Sequence, residues 1–97
     1  MAEHARIIRV ARYRPRPGST DELWDALHAL AAATRELPGL FGAQVCRIRE
    51  DPEWMAFVTR WENEEAMRAT GEAAVEELMN RVAGLGEEQQ VEHFITE

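Results

Sequence analysis

The stretch Trp54-Met55-Ala56-Phe57-Val58-Thr59-Arg60-Trp61 decides the fold. Its β-branched and aromatic residues suit a pleated surface. Its alternating sets, Trp54, Ala56, Val58, Arg60 and Met55, Phe57, Thr59, Trp61, are both largely apolar. A strand covered on one side alternates apolar with polar residues, so this strand needs cover on both sides and belongs in the middle of a sheet. Just upstream, Glu50-Asp51-Pro52-Glu53 supplies a turn, because Pro presets the backbone at its second position. Leu40 to Arg49 then reads as the strand that this turn pairs with it.

The segment from residue 5 to Tyr13, Ala-Arg-Ile-Ile-Arg-Val-Ala-Arg-Tyr, reads as the first strand, stopped by Pro15 and Pro17, which lack ladder donors. Its faces are Ile7, Arg9, Ala11, Tyr13 and Arg6, Ile8, Val10, Arg12, neither purely polar. After Arg16-Pro17-Gly18, Ser19 and Glu22 have capping-box spacing and open a helix. Leu23, Leu27, Leu30, Thr34 and Leu37 form one stripe of that helix, which Pro38-Gly39 should end.

Asn63 is the expected N-cap of the next helical stretch, with Glu64 and Glu65 at the positive end of its dipole. Gly71 divides that stretch into a short helix and a second one carrying Val75, Leu78, Met79, Val82 and Leu85, stopped by Gly84 and Gly86. Gln90 to Thr96 alternates as a last strand. Strand, helix, hairpin, helix, strand is the ferredoxin-like βαββαβ pattern of an α+β chain, a four-stranded antiparallel sheet with strands one and three central. Helices cover one face of such a sheet, so the apolar residues on the other face predict a second sheet from a second copy.

The length of 97 residues accommodates one domain, residues 1–97, around one core. The formal charge of -7 opposes binding to nucleic acid and anionic lipid. Its basic residues are all Arg, which reads first as base composition and secondarily as a preference for half-buried ion pairs. The lone Cys46 cannot form an intramolecular disulfide, and the N-terminus lacks a secretory apolar region, which predicts a cytoplasmic protein. No apolar run is long enough to span a bilayer as a helix. Cys46 itself reads as a small strand hydrophobe before a nucleophile.

Four ordered signatures resemble the antibiotic biosynthesis monooxygenase family of dimeric α+β barrels. They are Arg16-Pro17-Gly18, Leu37-Pro38-Gly39-Leu40, Glu50-Asp51-Pro52 and the run from Arg60 to Ala66, Arg-Trp-Glu-Asn-Glu-Glu-Ala. The resemblance implies a homodimer of facing sheets with a pocket between sheet and helices in each subunit. It also implies activities such as metal- and flavin-free oxygenation of quinols and aromatic polyketides, with haem degradation in a related branch. The His that many members carry after the third strand falls on Thr70. The Asn, Trp and His of the haem-degrading branch fall on Ala11, Thr70 and Asn80, so that branch's residues are not kept.

Candidate chemistry follows from placement. His4, His28 and His93 are scattered without a metal-binding spacing, and Gly84 and Gly86 follow a helix, unlike a nucleotide-binding loop, so no metal or cofactor is expected. Arg9 and Tyr13 share the strand-one face that the resemblance turns toward the pocket. There Arg9 would hold a phenolate or enolate reacting directly with oxygen, and Tyr13 would orient it. The alternative for Arg9 is an ion pair with Glu92 or a helix carboxylate.

Trp61 reads as an aromatic wall of the pocket or as core. His93 is a catalytic candidate that otherwise reads as a half-buried neutral His. Thr70 and Ala11 are taken as substrate-facing on the family positions, and His28, on the flank of the first helix, is assigned to the surface or an interface. Three functions follow: a cofactor-independent monooxygenase-like enzyme for an aromatic or quinol-type substrate, a binding module for a small aromatic or acidic metabolite, or a structural dimer serving a partner enzyme. The resemblance ranks the enzyme first.

Overall fold

Arg9 pairs on one side with Thr59 and on the other with His93, which makes the strand that carries it central. In a computed structural model describing residues 6–69 and 72–96, the elements run β1 (Ile7–Pro15), α1 (Thr20–Thr34), β2 (Leu40–Arg47), β3 (Met55–Trp61), α2 (Glu64–Ala69), α3 (Glu72–Leu85) and β4 (Gly86–Ile95). The strands form one antiparallel sheet in the order β2-β3-β1-β4. This is the expected ferredoxin-like α+β arrangement, with the two-faced apolar strands β1 and β3 in the middle.

Alternation sorts the sheet into two faces. Ile7, Ala11 and Tyr13 of β1, with Met55, Phe57 and Trp61 of β3, are buried on the face that carries the helices. The α1 stripe packs on them: Leu23, Leu27, Leu30 and Thr34 are all buried, joined by Val75 and Val82 of α3. Val91, His93 and Ile95 share that face through their pairing with Ala11, Arg9 and Ile7, but remain exposed, Ile95 at 77%, so β4 lies outside the helical cover.

One cap and several boundaries depart from the sequence expectation. Ser19 sits at the start of α1 without a side-chain cap bond; instead its N–H donates to Arg16 O and its carbonyl accepts from Leu23 N–H, each at 2.9 Å. The turn thus satisfies the Ser19 N–H that the capping-box spacing assigns to Glu22, and the Ser19 carbonyl takes the first bond of the helix. α1 stops at Thr34, before Pro38-Gly39, as Arg35 N–H bonds back to Ala32 O and Leu37 N–H to Thr34 O in a tightened last turn. Leu37 therefore leaves the helix.

β1 continues to Pro15, where its register with β4 shifts, consistent with the donor that Pro lacks. α3 runs through Gly84 to Leu85, and β4 begins at Gly86 instead of Gln90. Arg16 explains the helix end: its N–H donates to Leu85 O at 2.9 Å and its Nε to Gly84 O at 3.0 Å, satisfying terminal carbonyls from a distant turn.

Asn63 does cap α2, its Oδ1 accepting from Ala66 N–H at 2.8 Å. Gly39 is required where α1 turns into β2: its φ is +79°, and a Cβ there would meet Ala66 Cβ at 2.5 Å. The α2 entry is thereby held against the start of the hairpin, and Glu62 N–H donates to Gly39 O at 2.8 Å.

Candidate functional site

Between the C-terminal half of α1 and the inward face of the sheet lies a cavity of about 130 Å³. Leu30, Thr34 and Leu37 form its α1 side, Phe57, Thr59 and Trp61 its floor, and Met67, Val75 and Met79 its α2 and α3 side. Arg9 is the charged residue among the described lining residues. Leu37 contributes because the tightened end of α1 releases it from the stripe. A cavity of similar volume, about 150 Å³, holds benzene in an engineered core, so the space suits one aromatic ring.

Arg9 is half-buried, and no carboxylate among the described residues pairs with it. Glu92 stands opposite Val10, on the other face of the sheet, so the Arg9–Glu92 pair considered from sequence does not form. Tyr13 lies on the same face as Arg9, one alternation beyond Ala11, and is almost fully buried. Burial pushes its phenol above the usual value, while the Arg9 guanidinium counteracts in part through charge and hydrogen bonding. Tyr13 is therefore a neutral phenol at physiological pH, able to donate and orient but not to act as a base.

Trp61 is 6% exposed, and its Nε1–H donates to Thr59 Oγ1 at 2.9 Å, which fixes the indole along the floor. Thr34 Oγ1 donates back to Ala31 O at 3.1 Å, leaving a mostly apolar wall on that side.

Of the candidates read from sequence, Arg9 and Trp61 meet in this cavity. Ala11 is fully buried between Phe57 and Val91 in the sheet register and does not line it. His93 is the register partner of Arg9, yet is exposed and absent from the lining. Thr70 lies outside the described residues. His28 is exposed and packs edge-on against Trp24 at 4.7 Å, with Arg47 stacked 4.4 Å from the Trp24 ring. Cys46 is half-buried on the outer sheet face beside Ala56.

Thr59 is the cavity residue that sequence reasoning passed over. Its signal was present: it is the polar member of the otherwise apolar set Met55, Phe57, Thr59, Trp61 on the inward face of a central strand. Met67 and Met79 carried no comparable signal, since apolar helix residues are ordinarily core.

No group of three or more His, Cys, Asp or Glu side chains converges among the described residues. Nor is any helix among them long and apolar enough to cross a membrane.

Solved structures with the same fold include a protein from Shewanella oneidensis, 23% identical, with a TM-score of 0.80 over 95% of this chain and 91% of that one. A Mycobacterium tuberculosis protein, Rv0793, is 19% identical, with a TM-score of 0.80 over 94% of each chain. A structure described as an antibiotic biosynthesis monooxygenase is 16% identical, with a TM-score of 0.79 over 94% of this chain and 98% of that one. No curated protein matches the chain. The sequence model of the antibiotic biosynthesis monooxygenase family matches residues 6–74, most of the chain and all three strands up to the start of α3, and the protein belongs to that family.

Proposed function

We propose that the protein is a small-molecule monooxygenase of this family that oxidises an aromatic or quinol-type substrate without a bound cofactor, and that it works as a homodimer. The observation that carries the enzymatic reading is Arg9, a half-buried cation without a carboxylate partner among the described residues, set in the wall of an apolar cavity of one-ring size. A guanidinium there stabilises the anion of a phenol or enol far more than water-exposed Arg would, because the apolar walls keep the local dielectric low.

Such an anion is electron-rich enough to pass an electron to O2, and recombination at the activated carbon makes the C–O bond. Loss of that carbon's remaining hydrogen with cleavage of the O–O bond leaves a carbonyl, and the second oxygen departs as water. The balance closes for a phenol with hydrogen on its para carbon: one phenol and one dioxygen become one para-quinone and one water, the O–H and C–H supplying the water's hydrogens. Arg9 holds the anionic oxygen, Trp61 and Phe57 flank the ring, and neutral Tyr13 supports Arg9 from the same strand face. His93, next to Arg9 in the register but exposed, has access to solvent protons at the rim of the sheet.

Oxygen consumption with a panel of single-ring phenols whose para carbon carries hydrogen tests the reading. Substrate-dependent uptake in the wild type that is lost in Arg9→Met supports it, and uptake no faster than autoxidation opposes it. The absence of a titratable base among the described lining residues favours a second reading, a binding module, in which ligands raise the melting temperature and no oxygen is consumed.

The dimer reading is supported by the outer sheet face. Ile8, Val10 and Val58 are only half-buried there and Phe94 is 49% exposed. On the same face Arg12 Nε is shut off from solvent with no acceptor among the described residues. A second copy laid on this face covers the apolar residues.

A further inference from the structure

Thr59 lines the cavity and is 3% exposed. Its Oγ1 already accepts from Trp61 Nε1 at 2.9 Å, and among the described residues its own hydroxyl proton has no acceptor. A hydroxyl carries one donor and two acceptor sites. With a lone pair occupied by the indole, Thr59 is left with a donor to place, and a buried donor without a partner is costly. Arg9 stands directly opposite Thr59 in the β1–β3 register, and side chains so paired on one face start about 5 Å apart. The cavity therefore presents two adjacent donors, one of them cationic, at one end of an apolar space.

We infer that Thr59 and Arg9 together form an oxyanion seat, and that the cavity selects a single aromatic ring bearing a directly attached anionic oxygen group. Trp61 is the positioning residue for that seat, since its N–H holds the Thr59 oxygen and turns the hydroxyl proton toward the ligand. The inference rests on the cavity being the ligand site and adds the residue and the charge that decide what enters it. A neutral ring of the same shape offers these donors only an uncharged acceptor, so discrimination arises from the stronger, charge-assisted hydrogen bonds that the anion makes.

Calorimetric titration of the homogeneous protein with benzoate and with its neutral counterpart benzamide tests this. Benzoate is expected to bind more tightly than benzamide. Thr59→Val, which keeps the shape and removes the donor, should weaken benzoate by about ten- to a hundredfold, the usual worth of a hydrogen bond to a charged group. Benzamide, whose carbonyl accepts only a neutral hydrogen bond, should lose less than benzoate, by under about tenfold. Thr59→Ser should restore benzoate binding, and Trp61→Phe should weaken it by a smaller factor while leaving the preference for the anion. Equal benzoate affinity in wild type and Thr59→Val, with binding still lost in Arg9→Met, overturns the role of Thr59 and leaves the cavity as the ligand site. Benzoate binding that neither Thr59→Val nor Arg9→Met alters, or no binding of either probe, overturns both.

Discussion

The indole N–H of Trp61 and the hydroxyl of Thr59, two residues apart on the inward face of β3, are joined by a buried hydrogen bond of 2.9 Å. Removing one partner strands the other. Trp61→Phe is expected to lower stability by about 2–4 kcal/mol, combining the lost hydrogen bond with lost aromatic packing, read from the urea midpoint. Thr59→Val strands the indole N–H instead and should cost about 1–3 kcal/mol.

Arg9→Met should separate ligand affinity from stability. Without a carboxylate partner among the described residues, Arg9 leaves no buried charge behind when it is replaced, and the apolar chain of Met suits the cavity. The urea-unfolding free energy should stay within about 0.5 kcal/mol of the wild type or rise, while binding of aromatic anions weakens. A fall of several kcal/mol would mean that Arg9 holds the fold through a buried ion pair.

Tyr13 is the chain's sole tyrosine, so tyrosinate absorbance reports it directly. Its folded value lies above 10.0 because burial disfavours the phenolate. The unfolded chain loses this proton first as pH rises. Above about pH 10 the folded state therefore binds more protons than the unfolded one, and stability falls with increasing pH. The contribution is complete below the unfolded value and disappears through the folded one. Tyr13→Phe should remove this part of the alkaline loss, seen as a shallower decline of melting temperature with pH.

Light scattering should give about twice the 11.1 kDa chain mass at micromolar concentration, because a stable facing-sheet contact buries on the order of 2,000 Å². Val58→Glu, in the centre of the outer face opposite Val10, is expected to return the chain to a monomer. A monomeric wild type would contradict the homodimer.

Gly39→Ala is expected to destabilise by at least about 1–3 kcal/mol, since it combines a positive φ with a Cβ in contact with Ala66. Gly84→Ala, in open space within α3, should instead be neutral or stabilising by up to about 1 kcal/mol. Thermal melts of the two variants check both signs.

The fold was legible because it rests on local periodicity. The two apolar faces around Phe57 and Val58 placed β3 centrally, and the Leu23, Leu27, Leu30 stripe gave α1 with its buried side. Asn63 was recognisable as a cap from its position alone. What escaped depends on partners remote in sequence. Arg16 closes the end of α3 from a distant turn, and the helix passes directly into β4 at Gly86, four residues before the alternation that marks the strand begins. Leu37 read as the last residue of a stripe, whereas the early end of α1 places it in the cavity. Arg9 and Trp61 were found because strand alternation and chain position point inward. His93 shares the correct face, but its strand lies beyond the helices, a limit set by three-dimensional cover that alternation cannot express.

The most direct measurement is the fate of isotopically labelled O2 during turnover of a single-ring phenol whose para carbon carries hydrogen, followed by mass spectrometry of the product. One labelled oxygen atom in the product carbonyl, with the second in water and no incorporation in Arg9→Met, is the expected result. Product free of label, or ligand bound in the cavity with no oxygen consumed, would contradict monooxygenation by this chain.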